Sequence, residues 1–402
     1  MSDTRAFAAL RQPKFRAYFA CVALTMTGDA IEHVISYWII FQKFQSPALG
    51  GFAIVSHWLP FLLLSIYSGT LADRYDPRRM IQIGMGLFML VSIGWGLLFL
   101  TDALEMWHAA TLLLLHGLAG VTWTPAGQVM IHELTDEARL ASAVRLAATA
   151  RYLGFLLGPA VGGLILLAVG PTYGIFLNAL IYLPMMLWLR KAPIRRKPAP
   201  SRLKGFADVV ATLNAISDNR VIVAMVLLAG GASLFVGNAY QAQLPEFAND
   251  LGHADADLSY SILLGADAAG ALVAGLLLES RGLLQPSVAK VFVLAMLYSV
   301  AFGAFAVAGS YPLALALLVV AGFLELAYNA MAQTLVQLHA PPHIRGRVLG
   351  LYGMSALGLR TFSGITVGLG GSFVGIHWSL ALSAGALLVL LTLGLLLARR
   401  AQ

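Results

Sequence analysis

Residues 69–79 read Gly-Thr-Leu-Ala-Asp-Arg-Tyr-Asp-Pro-Arg-Arg, a short polar turn between two apolar stretches, residues 51–72 and 78–100. Each stretch has the length of about 20 residues that a helix needs to cross a bilayer. No segment shows the sustained alternation of a membrane β-strand. We therefore predict an all-α membrane protein with twelve transmembrane helices, the other ten at residues 16–41, 109–131, 141–169, 173–190, 221–247, 258–278, 286–308, 311–338, 348–373 and 378–397.

The composition of the 402 residues supports this interpretation. Hydrophobic residues make up 59% of the chain and charged residues 11%, with Cys21 as the single cysteine. A soluble domain carries about 25% charged residues, so the composition excludes a soluble enzyme, and one cysteine excludes a disulfide framework. No cleavable signal peptide is expected, because residues 1–16 are polar and basic and Asp29 and Glu32 interrupt the apolar stretch that follows.

The net charge of +7 reflects basic residues that fall on one side of the predicted membrane. With the N-terminus inside, the inner loops hold most of them, including a cluster at 190–220, whereas Lys43 is the single base of the outer loops. Basic residues concentrate in cytoplasmic loops. We therefore expect a multi-pass protein of the inner membrane, with both termini in the cytoplasm and no binding of nucleic acid.

The chain also divides into two similar halves. Gly69 and Asp73 after the second predicted helix recur as Gly275 and Glu279 after the eighth. Parallel repeats of this kind are expected of a transporter in which two bundles rock around a central site. The predicted domains are a first six-helix bundle at 1–190, a cytoplasmic linker at 191–220 that includes a surface helix within 205–219, and a second six-helix bundle at 221–402.

Three motifs resemble those of the major facilitator superfamily. Residues 69–79 are similar to its loop signature between helices two and three. Residues 154–163, Gly-Phe-Leu-Leu-Gly-Pro-Ala-Val-Gly-Gly, are similar to its fifth-helix signature, which is associated with antiporters and exporters. Residues 345–350, Arg-Gly-Arg-Val-Leu-Gly, resemble the branch that includes the enterobactin exporter and macrolide efflux proteins. The resemblance implies a monomeric, proton-coupled exporter with the major facilitator fold.

The loop signature predicts a contact between the two halves. A carboxylate at Asp73 can accept charge-assisted hydrogen bonds from arginines or from the N-terminus of a neighbouring helix. We expect this contact to latch the halves together on the cytoplasmic side, and the residues of the predicted latch are Gly69, Asp73, Arg74, Arg78 and Arg79. The second-half copy keeps Glu279 and Arg281 but lacks the basic run, so its latch is expected to be weaker.

The fifth-helix signature predicts close packing. Gly154, Gly158 and Gly162 repeat every four residues, so they share a helix face and allow a neighbouring backbone to approach. Pro159 removes a backbone hydrogen bond and is expected to bend the helix. Together with Gly163 these residues make up the antiporter-like signature, and the predicted seam is the face of Gly154, Gly158 and Gly162, although ordinary packing of small residues would use the same glycines.

Six ionisable residues within the predicted spans are candidates for function: Asp29, Glu32, Arg151, Asp267, Glu325 and Arg360. Asp29 and Glu32 are three residues apart on one helical face, and two close carboxylates cannot both ionise at low cost. We predict that one of them holds a proton and that the pair couples transport to the proton gradient. The alternative is a structural acid that pairs with an arginine such as Arg151.

A cavity between the halves is the predicted binding site for a small-molecule substrate. The resemblance places Glu325 at this cavity and Asp267 nearer its flank, with Arg360 as a partner for either; the alternative is a buried ion pair that holds the second bundle together. Amide and aromatic groups on apolar walls suit an amphiphilic organic solute. His116 is interpreted as a packing histidine, and the predicted cavity residues are His33, Trp123, Gln128, Arg151, Asn238, Gln241, Asp267, Glu325, Asn329 and Arg360.

The leading hypothesis is an antiporter that exports a siderophore, drug or metabolite, with the proton gradient as its energy source and no cofactor. Its expected partners are the substrate, protons and the lipid bilayer. The alternatives are an uptake symporter, a lipid transporter, a scaffold, or a metal exporter that uses Asp29, Glu32 and His33. The sequence shows no compact set of three metal ligands and no motif for catalysis or ATP hydrolysis, so neither a metal site nor an enzyme is predicted.

Overall fold

The computed structural model of the protein describes residues 5–44, 47–193, 206–237, 239–251, 256–280, 285–363, 367 and 370–400. These residues are almost entirely helical, and no β-strand occurs among them. Three of the predictions fall outside these ranges: Asn238, Arg281, and residues 194–205 of the linker.

The described residues form the following α-helices: α1 (Pro13–Phe44), α2 (Pro47–Arg74), α3 (Pro77–Leu100), α4 (Met106–Leu134), α5 (Leu140–Ile181), α6 (Leu183–Leu189), α7 (Phe206–Ile216), α8 (Arg220–Phe235), α9 (Ala239–Asp250), α10 (Ala256–Ser280), α11 (Val288–Ala306), α12 (Tyr311–His339), α13 (Arg345–Gly353), α14 (Arg360–Ser363), α15 (Gly370–Val374) and α16 (Ile376–Arg400). A π-helical turn, Met354–Gly358, separates α13 from α14.

The predicted count of twelve spans can be followed along the chain. By length and composition, eight helical segments of the described residues can cross a membrane. One of these, Glu137–Leu189, has 53 residues and turns at Gly170, where a φ of 74° breaks the helix, so it supplies both the fifth and the sixth span. The remaining three spans are α1 and two interrupted helices, α8–α9 and α13–α15. The predicted fold class is confirmed.

The polar turn after α2 sets where the next helix begins. The side chain of Asp76 accepts a hydrogen bond of 2.9 Å from the backbone N–H of Arg78, and Pro77 occupies the first helical position. An N-cap acid followed by proline is a favourable helix start, because the cap satisfies a free N–H and proline needs none. Only two residues therefore separate the end of α2 at Arg74 from the start of α3.

The long helices pack in two groups. In the first group α1 lies along α5, and α4 packs against α2 and α3; in the second, α12 packs against α10 and α11, and α16 packs against α11. We call α1–α6 the first bundle and α8–α16 the second bundle. The limits of the predicted domains stay a prediction.

The two bundles meet at the end of the molecule that carries the polar turn, which we call the basic end. There α2 packs against α13, and α5 packs against α10. The first contact requires glycine, because a Cβ atom on Gly69 would overlap the carbonyl oxygen of Gly346, and one on Gly350 would overlap that of Ser65. Backbones in contact at these points close the gap between the bundles at the basic end.

The amphipathic segment within the linker is helical, as predicted. This helix, α7, packs against α2, α8 and α13 at the basic end, with Thr212 and Ile216 buried. Its location on the membrane surface stays a prediction.

Candidate functional site

A central cavity between the bundles brings together most of the residues predicted from the sequence. It holds about 1240 Å³ of empty space, including the part that is open to solvent. Asp29 of the predicted proton-coupling pair lines it, whereas His33, predicted at the cavity, is not among its lining residues within the described ranges. The predicted cavity residues that line it are Trp123, Gln128, Arg151, Gln241, Asp267, Glu325 and Arg360. Aromatic side chains add apolar wall, among them Tyr18, Trp58, Phe61, Phe88, Tyr152 and Phe155.

Asp29 and Glu32 of α1 are joined by His116 of α4. The Nε2 atom of His116 lies 2.9 Å from Oδ1 of Asp29, and its Nδ1 atom lies 2.7 Å from Oε1 of Glu32. His116 is 4% exposed, Asp29 is 6% exposed and Glu32 is 2% exposed. Since an unprotonated nitrogen and a carboxylate oxygen are both acceptors, each of these two hydrogen bonds must contain a proton.

The two acids differ in what else they touch. Glu32 accepts a second hydrogen bond of 2.6 Å from the Ser92 hydroxyl on α3, and Asn178 donates in turn to the oxygen of Ser92 at 3.2 Å. Asp29, unlike Glu32, reaches the wall of the cavity. Glu32 is therefore the enclosed member of the pair and Asp29 is the accessible one.

Two more histidines extend this group toward α2. The Nδ1 atom of His33 lies 2.7 Å from the backbone carbonyl oxygen of Asp29, and its Nε2 atom lies 3.3 Å from Nδ1 of His57. Because a carbonyl oxygen only accepts, Nδ1 of His33 carries the hydrogen. The ring centroids of His33 and His116 are 4.7 Å apart. Three imidazoles from α1, α2 and α4 thus lie side by side, with His57 at the cavity wall.

Two interpretations of the sequence are wrong at this point. His116 is not a packing histidine, because both of its nitrogens bond carboxylates. Asp29 does not pair with Arg151, which lines the cavity and forms no salt bridge within the described part of the chain. The sequence does not indicate the roles of His57 and His116, because each lies in an apolar stretch of its helix, whereas the spacing of Asp29 and Glu32 is visible along α1.

The second bundle holds a looser group of charges. The Nη2 atom of Arg360 lies 3.7 Å from Oε1 of Glu325, which agrees with the predicted partnership. The Arg360 guanidinium also lies 5.1 Å from the centre of the Trp58 ring, across the cavity on α2. Asp267 is 5% exposed, and its Oδ1 atom has no hydrogen-bond partner among the described residues.

The remaining cavity predictions have mixed outcomes. Trp123, Gln128 and Gln241 line the cavity, and Oε1 of Gln128 has no hydrogen-bond partner within the described ranges. Asn329 was predicted at the same cavity, and this is wrong: it borders a smaller pocket behind Glu325, because it lies one helical turn further along α12. Asn238 lies outside the described residues.

Asp73 connects the bundles at the basic end. Its carboxylate accepts hydrogen bonds from the backbone N–H groups of Gly346, at 2.7 Å, and Arg347, at 2.9 Å, in the first turn of α13. These N–H groups have no partner inside their own helix and carry the positive end of its dipole. A helix N-terminus is therefore a partner of Asp73, which is one of the two arrangements that the sequence predicts.

Arg78 of the predicted latch serves other contacts. Arg78 donates to Asp76 at 2.8 Å and to the carbonyl oxygen of Ala192 at 2.8 Å, so its predicted role toward Asp73 is wrong. Its guanidinium is drawn instead to the nearer N-cap acid. Arg79 is exposed and Arg74 is buried.

Glu279 forms the corresponding contact at the end of α10. It accepts hydrogen bonds from the hydroxyl of Ser142 and from Arg145, whose Nη2 atom lies 2.9 Å from its Oε2. Both donors belong to the first turns of α5, so this contact also joins the bundles. Arg281 lies outside the described residues, and the relative strength of the two latches stays a prediction.

The glycine seam of α5 faces α1, as its spacing predicts. A Cβ atom on Gly154 would lie 2.5 Å from Cβ of Met26, and one on Gly158 would overlap Cβ of Ala30. A Cβ on Gly162 would make ordinary contacts at 3.4 Å, and one on Gly163, which belongs to the signature but not to the predicted face, would meet nothing within 4 Å. Gly163 points away because it follows Gly162 by one residue, about 100° around the helix. α5 continues through Pro159, and its non-helical residue is Gly170.

Two bundles of apolar helices around a central cavity are typical of the major facilitator superfamily of transporters. The chain belongs to the transmembrane secretion effector family of this superfamily, which it matches over residues 4–401. Members of this family are transporters, so the expectation that the chain is not an enzyme is confirmed by its family.

The relatives include exporters. The chain is 25% identical to the multidrug efflux pump Tap of Mycolicibacterium fortuitum, over 94% of each chain. It is 26% identical to the enterobactin exporter EntS of Shigella boydii serotype 4, over 85% of this chain and 81% of the relative. It is 24% identical to the staphyloferrin A transporter of Staphylococcus aureus, but this match spans 44% of the chain and only 46% of the relative.

A solved structure shows the same fold. The human organic anion transporter MFSD10 superposes with a TM-score of 0.76, over 94% of this chain and 98% of that chain, at 14% identity. At this identity the likeness concerns the fold alone.

Proposed function

We propose that the protein is a proton-coupled antiporter that exports an amphiphilic organic solute by alternating access. That it is a multi-pass membrane transporter for a small molecule follows from its family. The observation that supports proton coupling is the hydrogen-bonded group of Asp29, His116 and Glu32 at the cavity wall.

The hydrogen bonds of this group set the number of protons that it holds. With one proton in each of the two bonds, the group is either an imidazolium between two carboxylates or a neutral imidazole beside one carboxylic acid. Both forms carry one net negative charge. A further proton can bind at Oδ2 of Asp29, which lies 3.8 Å from Nδ1 of His33, whereas the second oxygen of Glu32 already accepts from Ser92. This proton neutralises the group, so it lowers the cost of burial when access changes.

Orientation and direction complete the proposal. Basic residues favour the cytoplasm, so the basic end and both termini are placed there, in the inner membrane. The contacts of Asp73 and Glu279 then close the cavity toward the cytoplasm, and Asp29 takes up its proton from outside. Release of that proton inside would accompany loading of the solute for export.

The cavity supports an amphiphilic solute. Its aromatic walls offer apolar contact, while Arg151, Oε1 of Gln128 and Oδ1 of Asp267 are polar groups without a salt bridge or hydrogen bond among the described residues. Such groups favour a ligand that supplies the missing partners. Relatives at 25% and 26% identity are a multidrug efflux pump and an enterobactin exporter, which places siderophores and antibiotics first among the solutes to test.

Proteoliposomes with an imposed pH gradient test this proposal. Uphill movement of a siderophore, antibiotic or metabolite against a counterflow of protons would support antiport. Asp29→Asn should abolish the proton flux that the solute induces, whereas the same substitution at the exposed outer residue Asp102 should leave it intact. Movement of solute and protons in the same direction would instead identify a symporter.

A further inference from the structure

We propose that His33, His57 and His116, together with Asp29, bind a divalent transition-metal ion of the zinc type. The proposal goes beyond the transport function and does not rest on it, because binding can be measured on the purified protein without transport. It departs from the expectation drawn from the sequence, where the three histidines stand in three separate helices and no ligand set can be seen.

The spacing of the imidazole nitrogens carries the proposal. One nitrogen from each of the three rings lies within 4.8 Å of the other two. Nε2 of His33 and Nδ1 of His57 are 3.3 Å apart. Two nitrogens bound to one tetrahedral zinc ion are about 3.3 Å apart, given bonds of about 2.0–2.1 Å. The first pair already has this distance, and rotation of side chains can bring His116 to it.

The hydrogen bonds behind two of the rings favour ligation. Histidines that bind metals donate their second ring N–H to a carboxylate or a backbone carbonyl, which fixes the tautomer. His116 faces Glu32 with Nδ1 at 2.7 Å, and His33 faces the carbonyl of Asp29 with Nδ1 at 2.7 Å. With these hydrogens on Nδ1, the Nε2 atoms of both rings offer a lone pair toward the same space.

The charges around the three rings balance a dication. Asp29 lies 2.9 Å from Nε2 of His116 and can supply a carboxylate oxygen as the fourth ligand, while Glu32 stands directly behind His116. Two carboxylates neutralise the two positive charges, which a site at membrane depth requires. Imidazole nitrogens suit zinc, copper, cobalt and nickel, whereas magnesium and calcium prefer all-oxygen sites.

An ion can reach the site from the cavity, and a bound metal ion leaves no position for the protons of this group. Both His57 and Asp29 line the cavity, so an ion can enter from there. Once bound, the metal occupies the lone pairs and the carboxylate oxygen that would otherwise hold protons. Metal and transported proton therefore compete for one group of residues.

The experiment uses the full chain, purified in detergent with its affinity tag removed and treated with a chelator. Addition of Co²⁺ should give the visible absorption of a tetrahedral ion, and about one equivalent of Zn²⁺ should remove it, with no effect from Mg²⁺ or Ca²⁺. His57→Ala and His116→Ala should each abolish the cobalt signal. Glu32→Gln should weaken zinc binding by about 10–100-fold, which is the usual cost of losing an outer-shell partner.

His343→Ala is the matched control, because this histidine is exposed at the basic end, outside the cluster, and its loss should leave zinc affinity unchanged. If the two alanine variants do not purify as folded protein, Glu32→Gln, which keeps the size of the side chain, decides through its loss of zinc affinity, and an unchanged affinity would overturn the proposal. Absence of a tetrahedral cobalt signal would overturn the proposal. A signal that survives both His57→Ala and His116→Ala would overturn it as well, since the ion would then be bound elsewhere.

Discussion

Each bundle places two acids at or beside the cavity, but the surroundings of these acids differ between the bundles. In the first, His116 joins Asp29 and Glu32 at 2.9 and 2.7 Å, and Ser92 holds Glu32 from behind. In the second, the nearest charges of Arg360 and Glu325 are 3.7 Å apart, and an oxygen of Asp267 has no partner among the described residues. Buried polar groups are costly unless they are satisfied. We interpret the first group as a fixed proton holder and the second as a group that a ligand completes.

The two latches show a similar contrast. Asp73 accepts from two backbone N–H groups at the start of α13, whose positions are set by the helix itself. Glu279 accepts from two side chains, those of Ser142 and Arg145, which can turn to other partners when the bundles separate. The contact of Asp73 therefore depends on the position of the whole α13 helix. The contact of Glu279 depends on two side chains, which can form other hydrogen bonds instead.

The largest effect is expected from breaking the support of the first acid group. Gly158 packs against Ala30, the neighbour of Asp29, so the side chain in Gly158→Leu must push α1 away from α5 and Asp29 away from His116. Transport in proteoliposomes should fall to background, while the protein still inserts. Gly163→Leu is the matched control and should transport normally, because a Cβ there meets nothing within 4 Å. Equal activity of the two variants would refute the seam.

Replacement of one acid in each bundle by its amide tests the comparison directly. Asp29→Asn should abolish proton flux while solute still binds, since the amide removes the site for the further proton. Asp267→Asn should leave proton flux and weaken solute binding by about tenfold, the loss expected for one hydrogen bond to a charged group. Binding by fluorescence and proton flux by a pH dye are measured on both variants. The reverse pattern would exchange the roles assigned to the two bundles.

What could be predicted from the sequence follows a physical rule. Patterns within one helix were sufficient: apolar length located the spans, four-residue glycine spacing located the seam at Gly154 and Gly158, and the three-residue spacing of Asp29 and Glu32 located an acid pair. Such patterns do not show which residues of another helix lie beside a given side chain. His116 lies 84 positions beyond Glu32, and nothing in its apolar surroundings records which face it presents. The prediction for Arg78 is wrong because a partner close in sequence was overlooked: Arg78 bonds to Asp76, only two residues away, and not to Asp73.

The latches are expected to differ by a smaller amount. In Asp73→Asn the amide keeps one acceptor oxygen for two backbone N–H groups, so a buried donor loses its partner, at a cost of about 1–3 kcal/mol. In Glu279→Gln one oxygen still accepts from Arg145 without the charge, and the new amide nitrogen faces the Ser142 hydroxyl, which can turn to accept from it. Distances between spin labels on the two bundles at the basic end should therefore broaden toward an open state in Asp73→Asn more than in Glu279→Gln.

Asp102→Asn, in the exposed loop between α3 and α4, serves as the control for both variants and should leave the distance distribution unchanged. If Asp73→Asn also leaves it unchanged, Asp73 does not latch the bundles. If Glu279→Gln opens the basic end further than Asp73→Asn does, the contact with side-chain donors stabilises closure more than the contact with backbone donors, and the prediction is wrong.

The smallest effect concerns the residue behind Glu32. Ser92→Ala removes the 2.6 Å hydrogen bond to Oε2 and leaves that oxygen free to turn away from His116 or to take up the proton otherwise assigned to Asp29. Proton-coupled transport should fall by about 3–10-fold, within the usual range of one buried hydrogen bond. Asn178→Ala acts through the same hydroxyl, so the double variant should be no worse than Ser92→Ala.

Ser299→Ala removes a buried serine hydrogen bond of 2.5 Å in the second bundle and should cost stability without changing coupling. Equal loss of coupling in Ser299→Ala and Ser92→Ala would show that the contrast between the bundles lies in general stability and not in how each holds its acids.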